Sequence, residues 1–182
     1  MNDAKLALPV FKPKVRQEFL AATSTPLETQ SSVNSPSNEE LLSNSAASID
    51  WSNLSSKLKN CYCQMVRNEV SEIYLDNSSI DNEGAVAIAE ALKVNSSVSR
   101  ICLSYNSIGP EGAKAIAEAI KVNSSLSCVN LEHNSIGNEG AIAISEALKV
   151  NSSLKVVFQF SNSINRQTKQ SLESLHKSRV CY

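Results

Sequence analysis

Apolar and polar positions alternate over short stretches and then change to a helical spacing, and this pair of patterns recurs along the chain. In one stretch, Ile101 and Leu103 are apolar with polar neighbours, which is typical of a short strand with one buried side. Further on, Ala113, Ile116 and Ile120 follow the spacing of one helix face. Each unit is therefore predicted to form one strand followed by one helix.

The recurring unit is 28 residues long and aligns without gaps. Units begin at Ile73, Ile101 and Val129, and the second and third are identical at 18 of 28 positions. A fourth unit from Val157 keeps the Asn-Ser-Ile of the turn and then diverges, so it is predicted to be a degenerate capping unit. Because one repeat cannot bury its own apolar face, successive units are expected to stack with their strands side by side.

Turn and capping residues also recur in each unit. Asp81 or Gly109 stands where a helix N-cap is expected, Pro110 fits the first helical position, and Asn123 is predicted to be a left-handed C-cap. An asparagine amide can hydrogen-bond the backbone groups left open where the chain bends after the strand. Three such asparagines are predicted to form a structural ladder: Asn106, Asn134 and Asn162.

The unit L-x-x-N-x-I-G-x-E-G-A-x-A-I-A-E-A-L-K-x-N-x-S-L resembles the repeats of the ribonuclease-inhibitor-like class of leucine-rich repeats. That class includes the repeat domains of NOD-like receptors, of Ran GTPase-activating proteins and of ribonuclease inhibitor. The resemblance covers Val70 to about Ile164, with Ser78 and Asp81 departing from the pattern. It implies an α/β fold, a short leucine-rich-repeat solenoid that forms a right-handed horseshoe segment. It implies no single function, because members share the scaffold and differ on the exposed face.

The two ends of the chain differ from the repeats. Residues 1–47 are rich in Ser, Asn, Thr and Pro and are predicted to be a disordered tail or linker. Residues 48–69 are predicted to form an N-terminal capping helix, with Asp50 or Ser48 as its N-cap; a partner-binding amphipathic helix is the alternative. The leucine-rich-repeat domain is expected to cover residues 70–182.

Composition narrows the possible functions. The formal net charge is −1 and aromatic residues make up 5%, which gives no reason to expect nucleic acid or an anionic membrane as a partner. Neither a signal peptide nor an apolar run of about 20 residues is found, so the five cysteines are read as free thiols in the cytoplasm. The cysteines share no metal-ligand spacing, and Cys61-x-Cys63 has only His133 and His176 elsewhere as imidazole ligands, so neither a metal nor another cofactor is expected.

Side chains on the exposed side of the predicted strands vary between units, whereas the helix and turn positions are nearly constant. This contrast favours a non-catalytic protein-interaction or scaffold module that binds a partner protein on the concave strand face, and no catalytic constellation points to an enzyme. Regulation of a small GTPase is the alternative that the resemblance implies. The register of the last strand, the oligomeric state and the identity of the partner stay open. The predicted partner-binding residues are Glu72, Tyr74, Asp76, Arg100, Cys102, Ser104, Tyr105, Asn130, Glu132, His133, Phe158 and Phe160.

Overall fold

One strand and one helix alternate along the chain in the computed structural model, which describes residues 49–158, 161–176 and 180–181. The tail predicted for residues 1–47 lies outside the described residues. The helices are α1 (Ser56–Val66), α2 (Asn82–Val94), α3 (Pro110–Val122), α4 (Gly137–Val150) and α5 (Arg166–His176). The strands are β1 (Glu72–Tyr74), β2 (Arg100–Cys102), β3 (Cys128–Asn130), β4 (Val156–Phe158) and β5 (Val180–Cys181).

The five strands form one parallel sheet in chain order. The central residues of the first four strands pair directly, Ile73 with Ile101, Ile101 with Val129, and Val129 with Val157. β4 therefore continues the 28-residue register without a shift of one residue, which answers the question that its sequence pattern leaves open. β5 adds a further parallel strand beside β4, and no sequence pattern predicts it.

Consecutive helices pack closely because small residues face each other. A Cβ atom added at Gly140 would lie 2.7 Å from the Cβ of Ala113, and one added at Gly112 would lie 2.8 Å from the Cβ of Ala85. Side chains essentially never approach this closely, so glycine at these two positions permits the contact between neighbouring helices. The alanine-rich helix face thus sets the distance between repeats.

The first asparagine ladder ties each strand-to-helix turn to the preceding repeat. The Oδ1 atom of Asn106 accepts hydrogen bonds from the backbone N–H groups of Ser78 and Ile80, each at 3.0 Å. Its Nδ2 atom donates to the carbonyl oxygens of Leu75 and Leu103, at 2.8 and 2.9 Å. Side-chain amides at equivalent positions also reach the preceding repeat: Asn134 and Asn162.

A second ladder runs along the helix exits, and here the predicted left-handed cap is wrong. Asn123 has an extended backbone, with φ −79° and ψ 129°. Its side chain accepts from the N–H of Leu126 at 2.8 Å and donates to the carbonyl oxygens of Leu92 and Asn95 at 2.8 and 2.9 Å. The amide replaces a left-handed turn, since it satisfies the open carbonyl groups of the preceding helix exit itself.

Helix starts are capped in two different ways. At α2 the carboxylate of Asp81 accepts from the N–H of Gly84 at 2.9 Å, as an N-cap side chain does. At α3 the N-cap residue is Gly109, which has no side chain for this purpose. Instead, Oδ1 of Asn82 accepts from the N–H groups of Gly109 and Gly112, at 2.8 and 3.0 Å. The first repeat therefore caps the helix of the second.

The capping helix is shorter than the predicted span 48–69. α1 begins after Ser55, whose hydroxyl caps its first turn, whereas Asp50 accepts from the N–H of Ser52 at 2.9 Å in a separate turn. Asp50 is not its N-cap, because this local turn holds the Asp50 carboxylate away from the helix, and Ser48 lies outside the described residues. The ring of Trp51 packs edge-on against that of Tyr62, 4.7 Å between centroids. α1 packs against α2 and buries Leu58, Cys61, Tyr62, Cys63 and Met65.

Candidate functional site

The exposed side of the first three strands forms a continuous surface, here called the strand face. Parallel pairing places Glu72, Arg100 and Cys128 in one row and Tyr74, Cys102 and Asn130 in the next. The residues between these rows, such as Ile101, point into the core and are buried. The strand face is therefore made of the positions that differ most from repeat to repeat. Its residues are Glu72, Tyr74, Arg100, Cys102, Cys128 and Asn130.

A polar network joins three repeats at one end of the strand face. The hydroxyl of Tyr74 donates to the carboxylate of Glu72, and this hydrogen bond raises the pKa of Tyr74. The Nε atom of Arg100 lies 3.7 Å from Oε1 of Glu72, while its Nη1 atom lies 3.8 Å from Sγ of Cys128. Arg100 thus lies against Cys128, which is buried although its position belongs to the exposed side.

A second group, the carboxylate row, follows directly after the strands and consists of Asp76, Ser104 and Glu132. Backbone pairing continues here, because the N–H of Asn77 donates to the carbonyl of Ser104 at 3.0 Å. The hydroxyl of Ser104 donates to the carboxylate of Asp76, and its side chain is buried. Ser104 was expected to be exposed, but its hydrogen bond to Asp76 holds it inside the turn, and its contact with a partner stays a prediction. Asp76 and Glu132 are half-buried.

The turn row comes next and consists of Asn77, Tyr105, His133 and Ser161. All four have left-handed backbones, with φ of 48°, 55°, 51° and 53° respectively. The rings of Tyr105 and His133 stack with centroids 4.2 Å apart and planes 10° from parallel. Tyr105 nevertheless stays 58% exposed. The sequence analysis includes Tyr105 and His133 among the partner-binding residues but missed the left-handed turn. The asparagine at position 77, a residue type that tolerates this conformation, was the available signal.

Two predicted site residues, Phe158 and Phe160, lie in β4 or just after it in the sequence. β4 pairs Phe158 with Asn130, in line with Tyr74 and Cys102. The side chain of Phe158 and the whole of Phe160 lie outside the described residues.

Free thiols that burial keeps protonated are found at Cys61, Cys63, Cys102 and Cys128. Burial raises the pKa of Cys61 to about 11 and also raises the pKa values of Cys63, Cys102 and Cys128. A thiol of this kind is a poor nucleophile at neutral pH. Among the residues that the structure describes, no group of three or more His, Cys, Asp or Glu side chains is placed to hold a metal ion. Within the same ranges, no helix has the length and apolar character needed to cross a membrane.

Comparison with known proteins finds similarity to leucine-rich repeats. A family model for the leucine-rich repeat matches residues 94–117 and 122–145. A solved structure of leiomodin-1 actin-binding site 2 has a TM-score of 0.64 with this chain and 26% sequence identity. The similarity covers 70% of this chain and 81% of the other. No curated protein sequence matches the chain.

Proposed function

We propose that this chain, a leucine-rich repeat protein with a short α/β fold, is a non-catalytic module that binds a partner protein through its strand face and turn row. The observation that carries this proposal is Tyr105. It is a large aromatic side chain, mostly exposed, on a backbone that favours glycine or asparagine.

The fold itself gives little reason for a tyrosine at position 105. A left-handed backbone costs an ordinary side chain about 1 to 2 kcal/mol, and an exposed ring recovers only part of this by burial. In the first repeat, Asn77 meets the same backbone requirement with a residue type that tolerates it. Tyrosine is among the residue types enriched at binding hot spots, so contact with a partner accounts for its presence better than folding does.

Variation within the chain supports the same surface. From the first repeat to the third, the helices keep their Gly-Ala start and their Lys-Val-Asn-Ser-Ser exit. Across the same repeats the outward strand positions change from Glu72 to Arg100 to Cys128. A constant scaffold with a varied surface is how repeat proteins present a specific binding site.

Actin is the first purified partner to test. The support is the likeness to leiomodin-1 actin-binding site 2, which covers most of both chains. The assay is co-sedimentation of the full chain with filamentous actin, together with fluorescence titration of monomeric actin. Saturable binding to either form supports actin as a partner. If neither form binds, actin is excluded as a partner, and other protein partners are tested by the capture experiment.

The capture experiment compares matched variants of the full chain as baits in cell extract. One bait carries Tyr74→Ala, Arg100→Glu and Tyr105→Ala on the proposed surface. The control carries Val122→Ala, Ile142→Ala and Val150→Ala, which are exposed on the helices. We expect specific captured proteins to be lost with the first bait and kept with the control. Capture that survives the first triple change in full would contradict the proposal.

The finer subclass and the alternative function rest on the sequence resemblance to Ran GTPase-activating proteins. The measurement that separates a regulator from a passive binding module is the rate of GTP hydrolysis by a small GTPase, with and without the full chain. A binding module leaves that rate unchanged, whereas an activator raises it.

A further inference from the structure

Charge is distributed differently on the two sides of the repeats. On the helices, four lysines each lie 2.5 or 2.6 Å from a glutamate: Lys93 with Glu90, Lys114 with Glu139, Lys121 with Glu118, and Lys149 with Glu146. On the strand face and the carboxylate row, three carboxylates accompany one guanidinium, and Arg100 is paired with Glu72. Glu83 and Glu111 lie outside these pairs, but in the first turns of α2 and α3, where the helix dipole favours negative charge. The strand face and the carboxylate row have two carboxylates more than guanidinium groups.

The excess charge lies on Asp76 and Glu132. Within the described ranges, no lysine or arginine forms an ion pair with either carboxylate. Asp76 accepts hydrogen bonds from the backbone and hydroxyl of Ser104, which lies between the two acids. Since neighbouring strands are about 4.8 Å apart, the two acidic positions are separated by roughly 10 Å. Both are half-buried, and a partly desolvated carboxylate gains more from a cation than an exposed one does.

The aromatic pair lies directly beside these acids. Tyr105 follows Ser104, and His133 follows Glu132, so the stacked rings border the carboxylate row. A guanidinium group stacks on an aromatic face and also donates paired hydrogen bonds to a carboxylate. An ammonium group offers a point charge without the planar fork. The arrangement of ring and carboxylate therefore suits arginine better than lysine.

We propose that the partner presents an arginine-containing segment to this surface, with one guanidinium on the exposed ring of Tyr105 and cations facing Asp76 and Glu132. This inference rests on the proposed function and specifies the chemistry of the partner. A separation of roughly 10 Å corresponds to two arginines three residues apart in a polyproline II segment, which has three residues per turn and therefore places both side chains on one face.

The test uses peptides as defined probes and the full chain as the receptor. Gly-Arg-Gly-Gly-Arg-Gly is titrated into isotope-labelled protein, and amide chemical shifts are followed by NMR. Matched peptides carry lysine or glutamate in place of arginine. We expect the arginine peptide to shift resonances of Tyr105, His133 and their neighbours, the lysine peptide to bind more weakly, and the glutamate peptide not to bind. Equal binding of the arginine and glutamate peptides would overturn the proposal.

Variants locate the binding. Asp76→Asn with Glu132→Gln keeps size and hydrogen-bond acceptors but removes both charges, and it is expected to weaken arginine-peptide binding about threefold to tenfold, the range for two partly exposed ion pairs. The control, Glu118→Gln with Glu146→Gln, removes the same charge from the helices and is expected to leave the affinity unchanged. Thermal unfolding of each variant verifies its fold. An equal loss of affinity in both variants would mean that only net charge matters, and it would overturn the proposed site.

The two proposals fail in distinguishable ways. If a partner captured through Tyr74, Arg100 and Tyr105 binds the Asp76→Asn, Glu132→Gln variant as well as the unchanged chain, the arginine proposal is wrong and the binding function stands. If no captured protein depends on the strand face at all, the binding function itself is wrong.

Discussion

Asn77, Tyr105 and His133 occupy the same turn in three successive repeats, and each has a left-handed backbone. Asparagine and histidine are several-fold enriched in this conformation, whereas a bulky residue there is an outlier. The stacking of Tyr105 on His133 returns part of the cost, since aromatic pairs contribute about 0.5 to 1.5 kcal/mol. Position 105 therefore carries an exposed aromatic ring although asparagine would fit its left-handed backbone at lower cost.

Tyr105→Asn separates these two effects. Asparagine relieves the backbone and loses the ring stacking, so the free energy of unfolding is expected to stay within about 1 kcal/mol of the unchanged chain. Partner binding is expected to fall by tenfold or more, as for loss of an aromatic hot spot of about 2 kcal/mol. Chemical denaturation and titration of the captured partner measure the two quantities. A variant that binds normally would show that Tyr105 has no part in recognition.

The buried thiol of Cys61 gives a prediction about alkaline pH. Burial raises its pKa in the folded chain from an ordinary 9.0 to about 11, so the folded state keeps the proton more tightly than the unfolded state. This contribution to stability is complete below pH 9 and is lost as the pH rises through 11. It amounts to roughly 2 to 3 kcal/mol, from about 1.4 kcal/mol for each pH unit.

The measurement is urea denaturation at pH values from 8 to about 11, on the unchanged chain and on Cys61→Ala. The alanine variant starts from a lower stability because it leaves a small void, but it lacks the titrating group. Its stability is therefore expected to fall less steeply in this window. Parallel curves for the two proteins would show that Cys61 does not titrate with a raised pKa.

The sequence predicts which residues share a row of the strand face, but it does not predict which of their side chains are exposed. The 28-residue period places Glu72, Arg100 and Cys128 in one row, and the parallel pairing has the same register. The burial of Cys128 depends on the side chain of Arg100 lying against it, and that of Ser104 on its hydrogen bond to Asp76. Such contacts between neighbouring repeats do not follow from alternation within one strand.

At the scale of helices and strands, repeats stabilise each other's ends. The start of α3 has no side-chain cap of its own, and the amide of Asn82 in the preceding repeat takes this role. An N-cap side chain contributes typically about 1 kcal/mol. The interface between the first two repeats therefore includes a capping interaction as well as apolar packing.

Asn82→Ala is expected to lower the free energy of unfolding by about 1 kcal/mol through loss of this cap. Gly109→Asp added to that variant is expected to restore most of the loss, because Gly109 has an ordinary negative φ of −93° and Asp81 already acts as the equivalent cap of α2. The closest contact of a Cβ at Gly109 is Oδ1 of Asn82 itself, which the first change removes. Thermal and urea unfolding of the single and double variants measure both effects.

A double variant no more stable than Asn82→Ala would contradict the capping role. Asn53→Ala, at an exposed asparagine before α1, serves as the control and is expected to have little effect.

Helix boundaries were predicted correctly where residues close in sequence determine them. They were predicted wrongly where a side chain bonds to another repeat or where two nearby residues could act as the cap. Pro110 begins α3 because its fixed φ and missing N–H suit the first helical position. Asn123 is a residue type that is common at left-handed caps, yet its backbone is extended and its side chain is hydrogen-bonded to the preceding repeat. The start of α1 was misplaced because Asp50 and Ser55 are both acceptable N-caps, and in the structure Asp50 forms a separate turn with Ser52 while Ser55 caps the helix.

At the scale of the whole molecule, the chain has a nearly uniform helix side and a varied strand side. Four lysine–glutamate pairs lie on the helices, and the formal net charge of the full chain is only −1. On the strand face, the carboxylate row and the turn row lie two exposed tyrosines and, among the described residues, two carboxylates without an ion pair. Repetition made the fold predictable from the sequence. The exposed surface does not identify the partner, because its residues differ from repeat to repeat and form no recurring pattern.

The most direct test of partner binding through this surface is site-specific photocrosslinking with the full chain in cell extract. Benzoylphenylalanine is introduced in place of Tyr74 on the strand face or of Val122 on the helices, two positions that are 57% and 66% exposed. If a partner binds through this surface, position 74 gives a discrete covalent adduct that disappears with Arg100→Glu, and position 122 gives none. Adducts from position 122 alone would contradict binding through this surface.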